Sequence, residues 1–167
     1  MSILTKAKPL SAERDLELLK DAESYAYCTV EETQLIAHCF FPQGHQTADS
    51  RPAIIFFHGG MWDVSMATQF APHAMHFASR GMVAVIVQYR VSSVSNATAE
   101  DAIEDAENAM LWMKNNHTEL GLDPNRITAA GAASGAHMAL MLAMNNETEA
   151  SETYSPRPLG VIALSAI

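Results

Sequence analysis

The stretch Arg126-Ile127-Thr128-Ala129-Ala130-Gly131-Ala132-Ala133-Ser134-Gly135-Ala136-His137-Met138-Ala139-Leu140 constrains this chain more than any other. It reads as a short buried strand, a turn of very small residues and a helix with buried apolar side chains. Every residue from Ala129 to Ala136 is Gly, Ala or Ser. A run this small lets a helix start directly above a strand without side-chain collision. Such a corner can hold one residue in a strained turn with its side chain pointing outward, as a nucleophile elbow requires. Taken alone, it is equally a packed strand–helix corner with no chemistry.

The rest of the chain supplies layers around that corner. Ala53–Phe57 and Met82–Tyr89 are continuous apolar runs, as expected of central parallel strands covered on both faces. Between them, Phe70 to Arg80 has a helical pattern stopped by Gly81. Thr98 to about His117 forms another helix, with Ala102, Ala106, Ala109, Met110 and Met113 on its apolar stripe. Its acidic residues Glu100, Asp101, Glu104, Asp105 and Glu107 read as a solvated face favoured by the helix dipole. Upstream, Ser11 to about Glu23 is expected to be a helix with Ser11 as its N-cap, making residues 1–23 a helical arm. Tyr25–Val30 and Leu35–Phe41 read as an antiparallel hairpin at a sheet edge. After the corner come a helix from Ala136 to about Met144, a polar loop from Asn145 to Pro158, and a last strand, Leu159–Ile167. The expected fold class is α/β, with ligands at the carboxyl ends of the strands.

A chain of 167 residues, 49% hydrophobic and 17% charged, suits one soluble domain. Its net charge of −9 and the lack of any basic block argue against nucleic acid as a partner. No apolar run approaches a membrane span, so no membrane partner is expected. Met1–Leu10 has no apolar signal core, which points to the cytoplasm. Cys28 and Cys39 fall on two neighbouring expected strands, where a cross-strand disulfide is conceivable but buried free thiols are the preferred reading, and the Asn-x-Thr matches at Asn96, Asn116 and Asn146 read as chance. His73 and His76 share a helix face but lack the further ligands a metal needs, so no metal and no cofactor is expected.

In this order, the strand Ala53–Phe57 running into His58-Gly59-Gly60, the block Ala71–Arg90 and the small-residue corner resemble the α/β-hydrolase esterases and lipases of the His-Gly-Gly type. Feruloyl-esterase-like carboxylesterases are among them. The resemblance covers nearly the whole chain from about Tyr25. It implies an α/β-hydrolase-like domain over residues 24–167, with about six of eight strands present and the C-terminal strands missing. It also implies a small-molecule ester substrate and an oxyanion hole made by the N–H groups of Gly59, Gly60 and Ser134. Met61 stands where related sequences often have a third glycine. Trp62 and Met66 follow the loop as candidate pocket residues.

Laid on Gly131 to His137 without gaps, the family's Gly-x-Ser-x-Gly-Gly-His places Ala133 at the nucleophile position. Ser134 is the only candidate hydroxyl, one residue late. In the family the acid and histidine base follow later strands, which this chain lacks, and His137 matches the elbow histidine rather than the base. The expectation is an esterase-family fragment or degenerate pseudoenzyme. The alternatives are an active serine hydrolase using Ser134 with a complementing chain, and a binding or assembly module. Leu159–Ile167, apolar and without a charge, is expected to leave an open edge for self-association or for a complementing C-terminal half.

Overall fold

A computed structural model describes residues 13–145 and 153–167. The expected N-cap Ser11 lies outside the described residues. Helix α1 spans Glu13–Leu18 and stops short of the predicted Glu23, which instead opens strand β1, Glu23–Val30. A turn at Glu31, in the left-handed region at φ 54°, leads to β2, Thr33–Phe40. Then follow β3 (Arg51–Phe57), α2 (Ala71–Ser79), β4 (Val83–Val87), the short α3 (Ser92–Ser95) and α4 (Ala99–Asn115). Strand β5 covers Leu122–Ala132, α5 Ser134–Met144 and β6 Gly160–Leu164.

The six strands form one sheet in the order β1-β2-β4-β3-β5-β6. The β1–β2 and β2–β4 pairs are antiparallel, while β4, β3, β5 and β6 run parallel. This is the mixed sheet with an N-terminal hairpin that the sequence implies. Alternate residues of each central strand point to opposite faces. Ile55 and Phe57 join Met110, Met113, Met138 and Leu142 on one side, under α4 and α5. Ile54 and Phe56 join Leu19, Phe70, Ala74 and Ala78 on the other, under α1 and α2. Both faces are covered, which is why β3 and β4 tolerate no polar alternation.

Helix α4 starts in a capping box. The Thr98 hydroxyl accepts from the Asp101 N–H, and the Asp101 carboxylate accepts from the Thr98 N–H. Its acidic residues are not simply a solvated face, which corrects the sequence expectation. Asp105 is fully buried and receives Arg90 Nε and the Arg90 backbone N–H, while Asp101 and Glu104 hold the other guanidinium nitrogens. Arg90 follows β4, so this clasp ties α4 to the end of the central sheet. Cys28 and Cys39 are unbridged. In the ladder they face Leu35 and Glu23, not each other.

Candidate active site

Two loops meet at the carboxyl ends of β3 and β5. Between β5 and α5 the chain turns through a single residue, Ala133, at φ 49° and ψ −117°. That conformation is unfavourable for any residue with a Cβ and costs about 1–3 kcal/mol. It persists because its surroundings leave no alternative. A Cβ on Gly131 would lie 2.3 Å from the carbonyl of Gly135. A Cβ on Gly135 would lie 2.1 Å from Phe57 O and 2.4 Å from His58 O. The start of α5 is thus pressed against both β5 and the end of β3. The Ala133 N–H donates to Leu164 O at 3.0 Å, which fastens the turn to β6. The Ala133 carbonyl accepts from the His137 N–H and begins the helix.

Ser134, next in the chain, is fully buried, and its hydroxyl finds no hydrogen-bond partner among the described residues. Its hydroxyl slightly offsets the pKa of the neighbouring Tyr89 hydroxyl, which burial pushes up to about 12. That hydroxyl donates instead to His58 O at 2.8 Å. Helix α5 begins at Ser134, two residues earlier than the sequence pattern indicates, because glycine at 135 allows the close approach to β3.

The second loop is His58-Gly59-Gly60. The His58 ring is buried and stacked on Tyr89, with centroids 4.1 Å apart and planes 14° from parallel. Burial pushes its pKa down to about 4, and its Nδ1 lies 2.5 Å from Gly59 O. In the neutral ring, Nδ1–H donates to that carbonyl. Gly59 lies directly on the elbow: a Cβ there would sit 3.3 Å from Ala132 O and 3.7 Å from the Ala133 methyl. Gly60 has φ 128°, and a Cβ would strike Val64 O at 2.2 Å. Met61 and Trp62 are both left-handed, at φ 56° and 57°. Left-handed backbone at Met61 is a conformation that glycine adopts at less cost.

The candidate residues therefore divide. Gly59, Gly60, Ala133 and Ser134 converge, with Ala133 at the apex. Among the described residues the amides of Gly60 and Met61 make no hydrogen bond, and Ser134, as the first helical residue, has no intrahelical acceptor. The Gly59 amide is engaged, donating to Gln69 Oε1 at 2.7 Å. The two pocket candidates do not come together. Trp62 sits edge-on to the His137 ring at 5.5 Å, with its indole nitrogen buried. Met66 is exposed and lines a hollow of about 400 Å³ with Arg14, Asp15 and Thr68. Among the described residues no group of three or more His, Cys, Asp or Glu could hold a metal ion. No helix there is long and apolar enough to cross a membrane.

Sequence reasoning passed over Tyr89, Gln69 and the Arg90–Asp105 pair. For Asp105 a signal existed: it falls between Ala102 and Ala109 on the apolar stripe, where a solvated carboxylate does not belong. Gln69 left no such trace.

A profile of the BD-FAE family matches residues 39–159. The chain belongs to the BD-FAE family. Its fold is that of the α/β-hydrolase esterases. Est2, an esterase of the planctomycete Thermogutta terrifontis solved with propionate bound, superposes with a TM-score of 0.84 at 34% identity, covering 89% of this chain and 56% of Est2. Carboxylesterase NlhH of Mycobacterium tuberculosis is 31% identical over 96 residues, 57% of this chain and 30% of NlhH. The neuroligin-like protein glit-1 of Caenorhabditis elegans is 33% identical over 114 residues, 64% of this chain and 15% of glit-1. The BD-FAE chain thus spans little more than half of Est2 and under a third of these curated relatives.

Proposed function

We propose that this BD-FAE chain keeps the backbone of a carboxylesterase site but forms no acyl-enzyme. The carrying observation is Ala133 at the apex of the strained turn between β5 and α5. Acyl transfer in this fold needs a hydroxyl there, activated by a histidine that a carboxylate orients. A methyl group supplies nothing to activate. Ser134 does not replace it, since its side chain is buried in the first turn of α5 and would have to unwind that turn to meet an ester. The substrate class that the amides face by descent is a carboxylic ester, whose carbonyl oxygen the Gly60 and Ser134 N–H groups suit.

Est2 has been solved phosphorylated by paraoxon and phosphonylated by sarin. Paraoxon therefore tests the reading here. Intact-mass analysis after incubation is expected to show no dialkylphosphoryl adduct. An adduct mapping to Ser134 would establish the rival reading, a serine hydrolase completed by another chain.

A second reading rests on β6. Among the described residues this strand pairs only with β5; Ile162 and Leu164 within it, and Leu159 and Ile167 flanking it, are exposed. An apolar edge of this kind templates further strand pairing. We propose that it joins a second copy or a complementing C-terminal half. Light scattering at tens of micromolar is expected to show association, and a monodisperse monomer would overturn this reading.

A further inference from the structure

We propose that Gln69 controls the His58–Gly60 loop and that helix α1 controls Gln69. The inference rests on reading that loop as the part of the site that faces a ligand. The Gly59 amide, beside the elbow, is occupied by a carboxamide oxygen at 2.7 Å. A carbonyl or carboxylate ligand seeking that amide meets an acceptor of its own kind already in place. Gln69 is otherwise exposed, so its side chain has open space into which it can swing.

What holds Gln69 over the loop is the segment before α2. Gln69 N–H donates to Met66 O and Ala71 N–H to Thr68 O, turns that lead straight into the helix. On the other side, Thr68 Oγ1 donates to Asp15 Oδ1 of α1 at 2.7 Å. Just beyond α1, Leu19 is buried in the cluster of Phe40, Phe56 and Phe70. Helix α1 has only six residues, too few to persist without such docking. The hollow of about 400 Å³ between Arg14, Asp15 and residues 65–69 leaves room for this segment to shift. Docking of α1 and closure of Gln69 on Gly59 are then one coupled equilibrium. By linkage, whatever releases α1 raises the affinity of the loop for an acceptor oxygen, and such a ligand loosens α1 in return.

The test uses the full chain and hydrogen exchange of the Gly59 amide, with butyrate as the probe ligand. Gln69→Ala is expected to speed exchange at Gly59 about tenfold or more, and Thr68→Val several-fold with Gln69 still present. The amides of Ile54–Phe57 should stay protected in both. Butyrate should perturb the Gly59 amide at lower concentration in either variant than in the parent. Asp15→Leu, which roughly keeps the size of the side chain but removes the acceptor, should act in the same direction as Thr68→Val. Unchanged exchange at Gly59 in Gln69→Ala overturns the proposal. Unchanged exchange in both Thr68→Val and Asp15→Leu overturns the part played by α1. Exchange is read without ester chemistry, so either failure is distinct from a paraoxon adduct.

Discussion

The two loops at this site are held by different means. The elbow after β5 is fixed by backbone against backbone, with Gly131 on Gly135 and Gly135 on the carbonyls of Phe57 and His58. The loop after β3 has main-chain contacts of its own, Gly60 on Val64 and Gly59 on Ala132, but leans on side chains as well: Tyr89 under His58, Gln69 on Gly59, and Trp62 on His137. Backbone packing does not depend on which side chain stands at the apex. The elbow can therefore hold its strained geometry with only a methyl group at the apex. Side-chain packing can be adjusted residue by residue, and there the BD-FAE chain holds two side-chain-bearing residues, Met61 and Trp62, in left-handed backbone.

The sharpest way to break this comparison is Gly135→Ala. Its Cβ would meet main-chain atoms that cannot swing aside, so a loss of about 3 kcal/mol or more is expected in urea unfolding. A loss below 1 kcal/mol would mean that the elbow is not clamped by backbone. Acid comes next. Burial holds both His58 and His38 neutral, each with its pKa down to about 4, whereas an unfolded histidine titrates near 6.5. Between those values the unfolded chain binds more protons, so stability is full above pH 6.5 and falls as pH drops towards 4. Each ring contributes up to about 3 kcal/mol over that range. The urea midpoint should begin to fall between pH 6.5 and 5, above the range of the carboxylates, and a flat profile there would contradict the burial of these rings.

Met61→Gly probes the adjustable loop. Relief of left-handed backbone, offset by the freedom glycine gains when unfolded, should stabilise the chain by about 0.5 kcal/mol. A clear destabilisation would show that the Met61 side chain holds the loop. Ala133→Ser tests the apex of the elbow itself. A hydroxyl with no base stays protonated, so ester turnover should rise by less than about a hundredfold, or about 2.7 kcal/mol of barrier. A larger rise would require a hidden base, and His137 would be the first suspect.

Much of this was legible in the sequence. The run of small residues from Ala129 to Ala136 has few structural uses, and β3 and β4 announce themselves by apolar runs that only a doubly covered strand can bury. Other parts were hidden for physical reasons. The contact of Gln69 with Gly59 joins a side chain to a main-chain N–H ten residues away, which leaves no periodic pattern. Strand β5 starts at Leu122, upstream of the short strand expected within the stretch from Arg126, because Arg51 pairs with Leu122 across an irregular register. The end of α1 at Leu18 reflects the pairing of Glu23 with Cys39, a tertiary contact that overrides the helical pattern.

The most direct measurement is pre-steady-state release of p-nitrophenol from a short-chain ester by the parent chain and by Ser134→Ala. With Ala133 at the apex, amides alone can still give slow turnover, about 10³–10⁴ over water in well-formed sites. They cannot store an acyl group. Both proteins should therefore show linear release with no burst. A stoichiometric burst in the parent that vanishes in Ser134→Ala would contradict the account.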